Sequence, residues 1–400
     1  MALIQIESNK PSPTGMPVLR LGFRPFFLLA GLAAVALVLY WLYVFFNAGT
    51  TLAYASVHWH AHEMIFGYSV AVIAGFLLTA EKNWTGVQTP QGIWLGGLAL
   101  LWLAGRVVSL LTVPVWMVAS IDLLFIPILA IVLLIPLLKT RQYQHMIFVV
   151  IAFALFIANL LFHLDYLLPE FQTAALGIRL GWLIILLLIT VMGGRVIPFF
   201  IERGTGQIGQ TRSYKSLELA GFVSLLIWMG YSLLSSSSLI LAVLAIVAGL
   251  IQALRLWGWY LHALWRHPML WILLVGYSWI PIGLLLFAYA SYSGTNNSSA
   301  VHAFTAGAIG ILTIGMMARV SLGHTGRNIE ASPLIIVAFV CVVLGALLRV
   351  IGSLSHFEII SKYYLLIVSS AGILWASGFL LFLVVFIPIL LKSRVDNRPG

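Results

Sequence analysis

The sequence predicts an all-α, polytopic membrane protein with about twelve transmembrane helices and both termini on the cytoplasmic side. Three observations carry this. Hydrophobic residues make up 62% of the 400 and charged residues 8%, for a mean hydropathy of +1.07, too little charge to keep a soluble chain dispersed. Apolar runs of about 20 residues, enough to cross a bilayer, follow one another almost end to end. Lysine and arginine are distributed unevenly between alternate breaks.

Residues 1–25 are polar enough to form a cytoplasmic segment. They lack an apolar core, so no cleavable signal is expected and the first span directs insertion. Spans then fall at 26–46, 62–80, 92–111, 115–138, 146–164, 174–194, 217–235, 238–257, 269–290, 301–320, 333–352 and 363–391. They form one bundle over 26–391, and 392–400 is a short tail. The breaks carry turn chemistry: NAGTT, KNWTG, LPEFQT, RGTGQIGQT, SYSGTNNSS, GHTGRN and GSLSHFE.

An even number of spans puts both termini on one side. That side collects all but four of the 21 Lys and Arg residues, leaving Arg106, Arg179, Arg349 and Lys362 on the other. This is the positive-inside pattern, so the net charge of +10 reports topology and not nucleic-acid binding. The single Cys341 excludes an internal disulfide and a multi-thiolate metal site. No GxxxxGK[ST] motif is present, so the chain is not by itself an ATP-driven pump. Asp122 is the clearest acidic residue inside a span.

The stretch VHWHAHEMIFGYSVAVIAGF places His58, His60, His62, Glu63 and Met64 at the entrance of the second span. Ionisable groups there are costly unless they pair, bind something or face a cavity. His163, His302 and His356 fall on the same outer side, and His145, His262, His267 and His324 on the inner side. Arg106, Arg179 and Arg349 lie near the outer histidines in depth. Neutral imidazoles suit iron, and guanidinium forks suit propionates. An apolar slot between helices suits the macrocycle.

The expectation is therefore a haem near the outer leaflet. Its axial ligands are His62 and His302, and its propionate partners come from Arg106, Arg179 and Arg349. His58 and His60 can make a copper or zinc site, to which Met64 adds a soft donor favouring Cu(I), with His62 and His302 also in the metal-ligating set. If the segment is helical, His58 and His62 share a face and His60 points elsewhere; if extended, the three alternate with Trp59 and Ala61. Glu63, the candidate catalytic residue, orients an imidazole or carries protons. On the cytoplasmic side, GMMARVSLGHTGR offers Arg319, His324 and Arg327 as a cationic turn for an anion or cofactor. A plain charged loop explains that turn equally well. GFRPFF and GGRVIPFF each join an arginine to Pro-Phe-Phe at a span end.

Four stretches in order, LGFRPFFLLAGL, HAHEMIFGYSVAVIAGFLLTAEKNWTG, GGRVIPFF and HAFTAGAIGILTIGMMARVSLGHTGR, resemble the NnrS family across most of the chain. His60, His62 and Glu63 match its first histidine signature, and His302, Arg319, His324 and Arg327 its last. The charged pair Glu81–Lys82 departs slightly from the pattern. The resemblance implies a bacterial inner-membrane protein that contains haem and copper and serves the response to nitric oxide and nitrosative stress. It fixes no reaction. An oxidoreductase directed at nitric oxide, drawing electrons from a quinol or protein donor, is one reading; a transporter of copper, haem or a small anion, and a haem sensor or maturation partner, are the others. His267–Pro268 before Trp271–Ile272–Leu273 is similar to the copper helix of haem–copper oxidases, but the His-His pair expected there is missing.

Overall fold

The computed structural model describes residues 15–47, 52, 54–235, 238–355 and 357–396; His356 lies outside them. The chain is 83% helix, with no strand among the described residues. The helices in chain order are α1 (Phe23–Phe46), α2 (Ser56–Thr85), α3 (Ile93–Val108), α4 (Val115–Thr140), α5 (Ile147–Leu167) and α6 (Ala174–Thr205). They continue as α7 (Lys215–Leu234), α8 (Leu239–Trp259), α9 (Pro268–Ser293), α10 (Ser298–His324), α11 (Pro333–Gly352) and α12 (Tyr364–Leu391). Eleven of them are long and apolar enough to cross a membrane. The sixteen residues of α3 span roughly 24 Å at about 1.5 Å each, short of a hydrocarbon core of about 30 Å. Large apolar side chains such as Leu100, Ile131, Phe153 and Leu250 are exposed along the flanks, as suits a surface set in lipid.

Turn chemistry ends the helices as the breaks suggest. α6 stops at Gly206 and α9 at Gly294, each with φ near +70°, a conformation that glycine adopts without steric cost. α1 begins earlier than its apolar window. Arg24, buried in its first turn, donates to the carbonyls of Leu390 (2.8 Å) and Lys392 (2.7 Å) at the end of α12. Those carbonyls have no partner within their own helix, so the arginine of GFRPFF is a C-terminal cap supplied from another helix. Arg394 does the same for α10 through the His324 carbonyl (3.1 Å). These contacts place the start of α1 and the ends of α10 and α12 at one end of the bundle.

GGRVIPFF has a packing reason too. Arg255 of α8 reaches Glu218 of α7 (2.5 Å), Tyr277 of α9 (2.5 Å) and the Thr190 carbonyl of α6 (3.0 Å). Gly194 leaves the room this needs, since a Cβ there would meet Arg255 and Glu218. At the centre, α2, α9 and α10 are the most buried spans. Two of them are irregular: α2 is π-helical over Glu63–Ser69 and α10 over Ala303–Gly310, each directly after a histidine, His62 or His302. π-helical segments are rare and often mark functional sites.

Candidate functional site

Ser56–His62 is α-helical, which settles how its three histidines are dealt out. At about 100° per residue, His58 and His62 face α5: His58 Nδ1 meets the Tyr166 hydroxyl (2.8 Å), and the His62 ring packs on Phe162 at 4.4 Å. His60, about 200° round from His62, faces the opposite way.

On the His60 side lies a cavity of about 400 Å³, lined by α1, α2, α6, α10, α11 and α12. That volume is in the range of cofactor sites. His60 and His302 both line it, with Met64, Tyr68, Arg349 and Trp375. The His60 ring stacks on Trp41 at 4.6 Å and 14°, and its Nδ1 has no hydrogen-bond partner. His302 Nδ1 donates to the Ser298 carbonyl at 2.7 Å, leaving Nε2 as the nitrogen with a lone pair. The Ser353 hydroxyl lies 2.7 Å from Arg349 Nη1 and 3.4 Å from His302 Nδ1. Arg349 pairs with no carboxylate among the described residues.

On the His62 side lies a buried polar cluster. His62 Nδ1 faces Glu63 Oε1 (3.2 Å), and His62 Nε2 faces Asn159 Oδ1 (2.9 Å) and Asp122 Oδ2 (3.3 Å). His163 Nε2 donates to Asp122 Oδ2 (3.0 Å), as does Asn159 Nδ2 (2.8 Å). Arg106 closes the cluster, ion-paired with Asp122 and with Glu63 (3.4 Å). A Cβ on Gly67 would stand 2.5 Å from Arg106 Nη1, and one on Gly105 2.9 Å from Asp122 Oδ1; the first glycine admits the guanidinium and the second the carboxylate it pairs with. Tyr54 precedes α2, and its hydroxyl lies 2.9 Å from His163 Nδ1. Burial, aided by the Glu63 charge, pushes its phenol pKa up, so the hydroxyl keeps its proton and can donate or accept.

The grouping differs from the sequence expectation. His62 and His302 lie in different sites, and His60 is the histidine that joins His302. Of the three arginines, only Arg349 lines the cavity. Arg106 is held by Asp122 and Glu63, and Arg179 donates to the Ser232 carbonyl (3.1 Å) at the end of α7. Glu63 is in the polar cluster, oriented on His62, and does not line the cavity. Met64 does line it; His58 does not.

Arg319, His324 and Arg327 belong to the opposite end of the bundle. Arg319 lies 3.9 Å over the Phe200 ring, His324 packs on Phe23 at 5.6 Å, and Arg327 Nη1 is 3.5 Å from the Thr325 carbonyl. Glu81, flagged as a departure, is buried with neither carboxylate oxygen hydrogen-bonded, and nothing in the structure explains it. Sequence reasoning missed Asn159 and Tyr54. The Asn159-x-x-x-His163 spacing, which sets both on one face of α5, was the available signal.

The profile of a protein family described as NnrS protein matches residues 17–394. No curated protein matches the chain.

Proposed function

Because the chain belongs to the NnrS family, we propose that it is a haem b and copper protein of the bacterial inner membrane that binds or detoxifies nitric oxide. The observation that supports this most directly is the cavity that His60 and His302 line together, from two different helices, in aromatic and apolar surroundings. The donor set fits haem. Two imidazoles come from different helices, one with its Nδ1 fixed by the Ser298 carbonyl and one braced by Trp41. Arg349, free of carboxylate, suits a propionate. When bound, haem supplies an iron that takes nitric oxide and exchanges single electrons.

The chain's own residues do the rest. Ser298 holds the His302 ring so that Nε2 presents its lone pair, and Arg349, anchored on Ser353, carries the positive charge. Trp41, Tyr68 and Trp375 keep water from the apolar wall, and the Tyr68 hydroxyl is itself satisfied by Thr313 (2.5 Å). Reducing equivalents come from a quinol or a protein donor in the same membrane. Copper is the second metal of this reading, held by imidazoles that the cavity leaves unused.

The test is the absorption spectrum of purified variants. His60→Ala and His302→Ala are expected to abolish or shift the Soret band, and His62→Ala to leave it in place. The reverse pattern would sink the assignment of His60. Consumption of nitric oxide by the same samples separates an oxidoreductase from a binding protein.

A further inference from the structure

We infer that the polar cluster of α2, α3, α4 and α5 is a second, separate metal site. It takes one copper ion on His62 Nε2, His163 Nε2 and the Asp122 carboxylate. The inference relies on the proposed function only for the family's use of copper; the donor set stands on four features of the structure.

The three donor atoms lie within 4.8 Å of one another, and all three residues are buried. Both imidazoles are also held from behind: His62 Nδ1 by Glu63 Oε1 and His163 Nδ1 by the Tyr54 hydroxyl. This is how metal-ligating histidines are usually oriented, with the outer nitrogen hydrogen-bonded to a carboxylate or a neutral partner.

Next, His62 is faced by acceptors at both ring nitrogens. Asn159 cannot turn its amide round to relieve this, because its Nδ2 donates to Asp122. A neutral imidazole has a single N–H, so one lone pair points at an oxygen unless a cation sits between them.

Finally, two carboxylates, Glu63 and Asp122, stand against the single guanidinium of Arg106 among the described residues, so the place accepts a cation. Imidazole nitrogens suit copper.

The experiment is metal analysis of detergent-purified chain alongside its optical spectrum. Wild type is expected to hold one copper per chain. His163→Ala is expected to lower it about tenfold or more, with the Soret band and the monodisperse elution profile retained. His302→Ala is expected to lose the Soret band and keep the copper, so failure of this site and failure of the haem reading are distinguishable. Electron paramagnetic resonance of the oxidised wild type gives a check that needs no variant: superhyperfine structure from two imidazole nitrogens is expected. Copper retained in His163→Ala, a signal without nitrogen coupling, zinc in place of copper, or a metal-free wild type each overturns the proposal.

Discussion

Arg106 shows what a single residue does here. Among the described residues its guanidinium is the one Lys or Arg group paired with Glu63 and Asp122, and all three are nearly inaccessible. Removing one partner of such a set leaves an uncompensated buried charge, at a cost of about 3–5 kcal/mol. Arg106→Ala is therefore expected to lower the thermal midpoint sharply. Arg106→Gln combined with Asp122→Asn should be milder than the sum of the two single changes, because residues in direct contact are coupled. Additive losses would mean the pair does not interact.

At this scale the sequence offered the helical sharing-out of His58, His60 and His62 as one of two geometries, the extended one being the other, and the α-helix over Ser56–His62 decides between them. Which of them meets His302 was not legible. That depends on how α2 turns against α5, and the residues that fix it, Asp122, Asn159 and His163, are some sixty to one hundred positions away in the chain.

Among the elements, α2 and α10 carry the sites, and both are wound loosely just past their histidines. A π-helical stretch offsets the two halves of a helix relative to regular winding. In α2 this lets the histidine end and the HEMIFGYS end each meet its own neighbours. Deleting Ile65 is expected to restore regular winding and turn everything before it by about 100°. His60 then leaves the cavity, and a membrane-inserted protein without a Soret band should result. An unchanged band would show that the winding is incidental.

Span positions were legible in hydropathy, and the stops at Gly206 and Gly294 in turn chemistry. The π-helical stretches were not, because no local propensity announces them. The early start of α1 was hidden as well, since Arg24 is stable there only because the end of α12 needs its hydrogen bonds. α6 also outruns its apolar window, 174–194, by eleven residues to Thr205.

For the whole molecule, the alternation of spans sorts the polar groups into two layers. Arg24, Arg255, Arg319, His324 and Arg394 lie towards the end that holds the start of α1 and the end of α12, and His60, His62, His163, His302 and Arg349 towards the other. The positive-inside rule predicts that the first layer faces the cytoplasm. A C-terminal fluorescent protein that matures only in the cytoplasm should therefore fluoresce when fused to the full chain, and a dark fusion at normal expression would reverse the orientation.

The central claim, a haem reached by nitric oxide in the cavity of His60 and His302, is tested most directly by one optical experiment. The purified wild type is recorded oxidised, reduced with dithionite, and then exposed to nitric oxide. A stoichiometric Soret band that moves on adding nitric oxide is the predicted result. A colourless protein that takes up copper reversibly would contradict it and turn the same histidines into way-stations of a transporter.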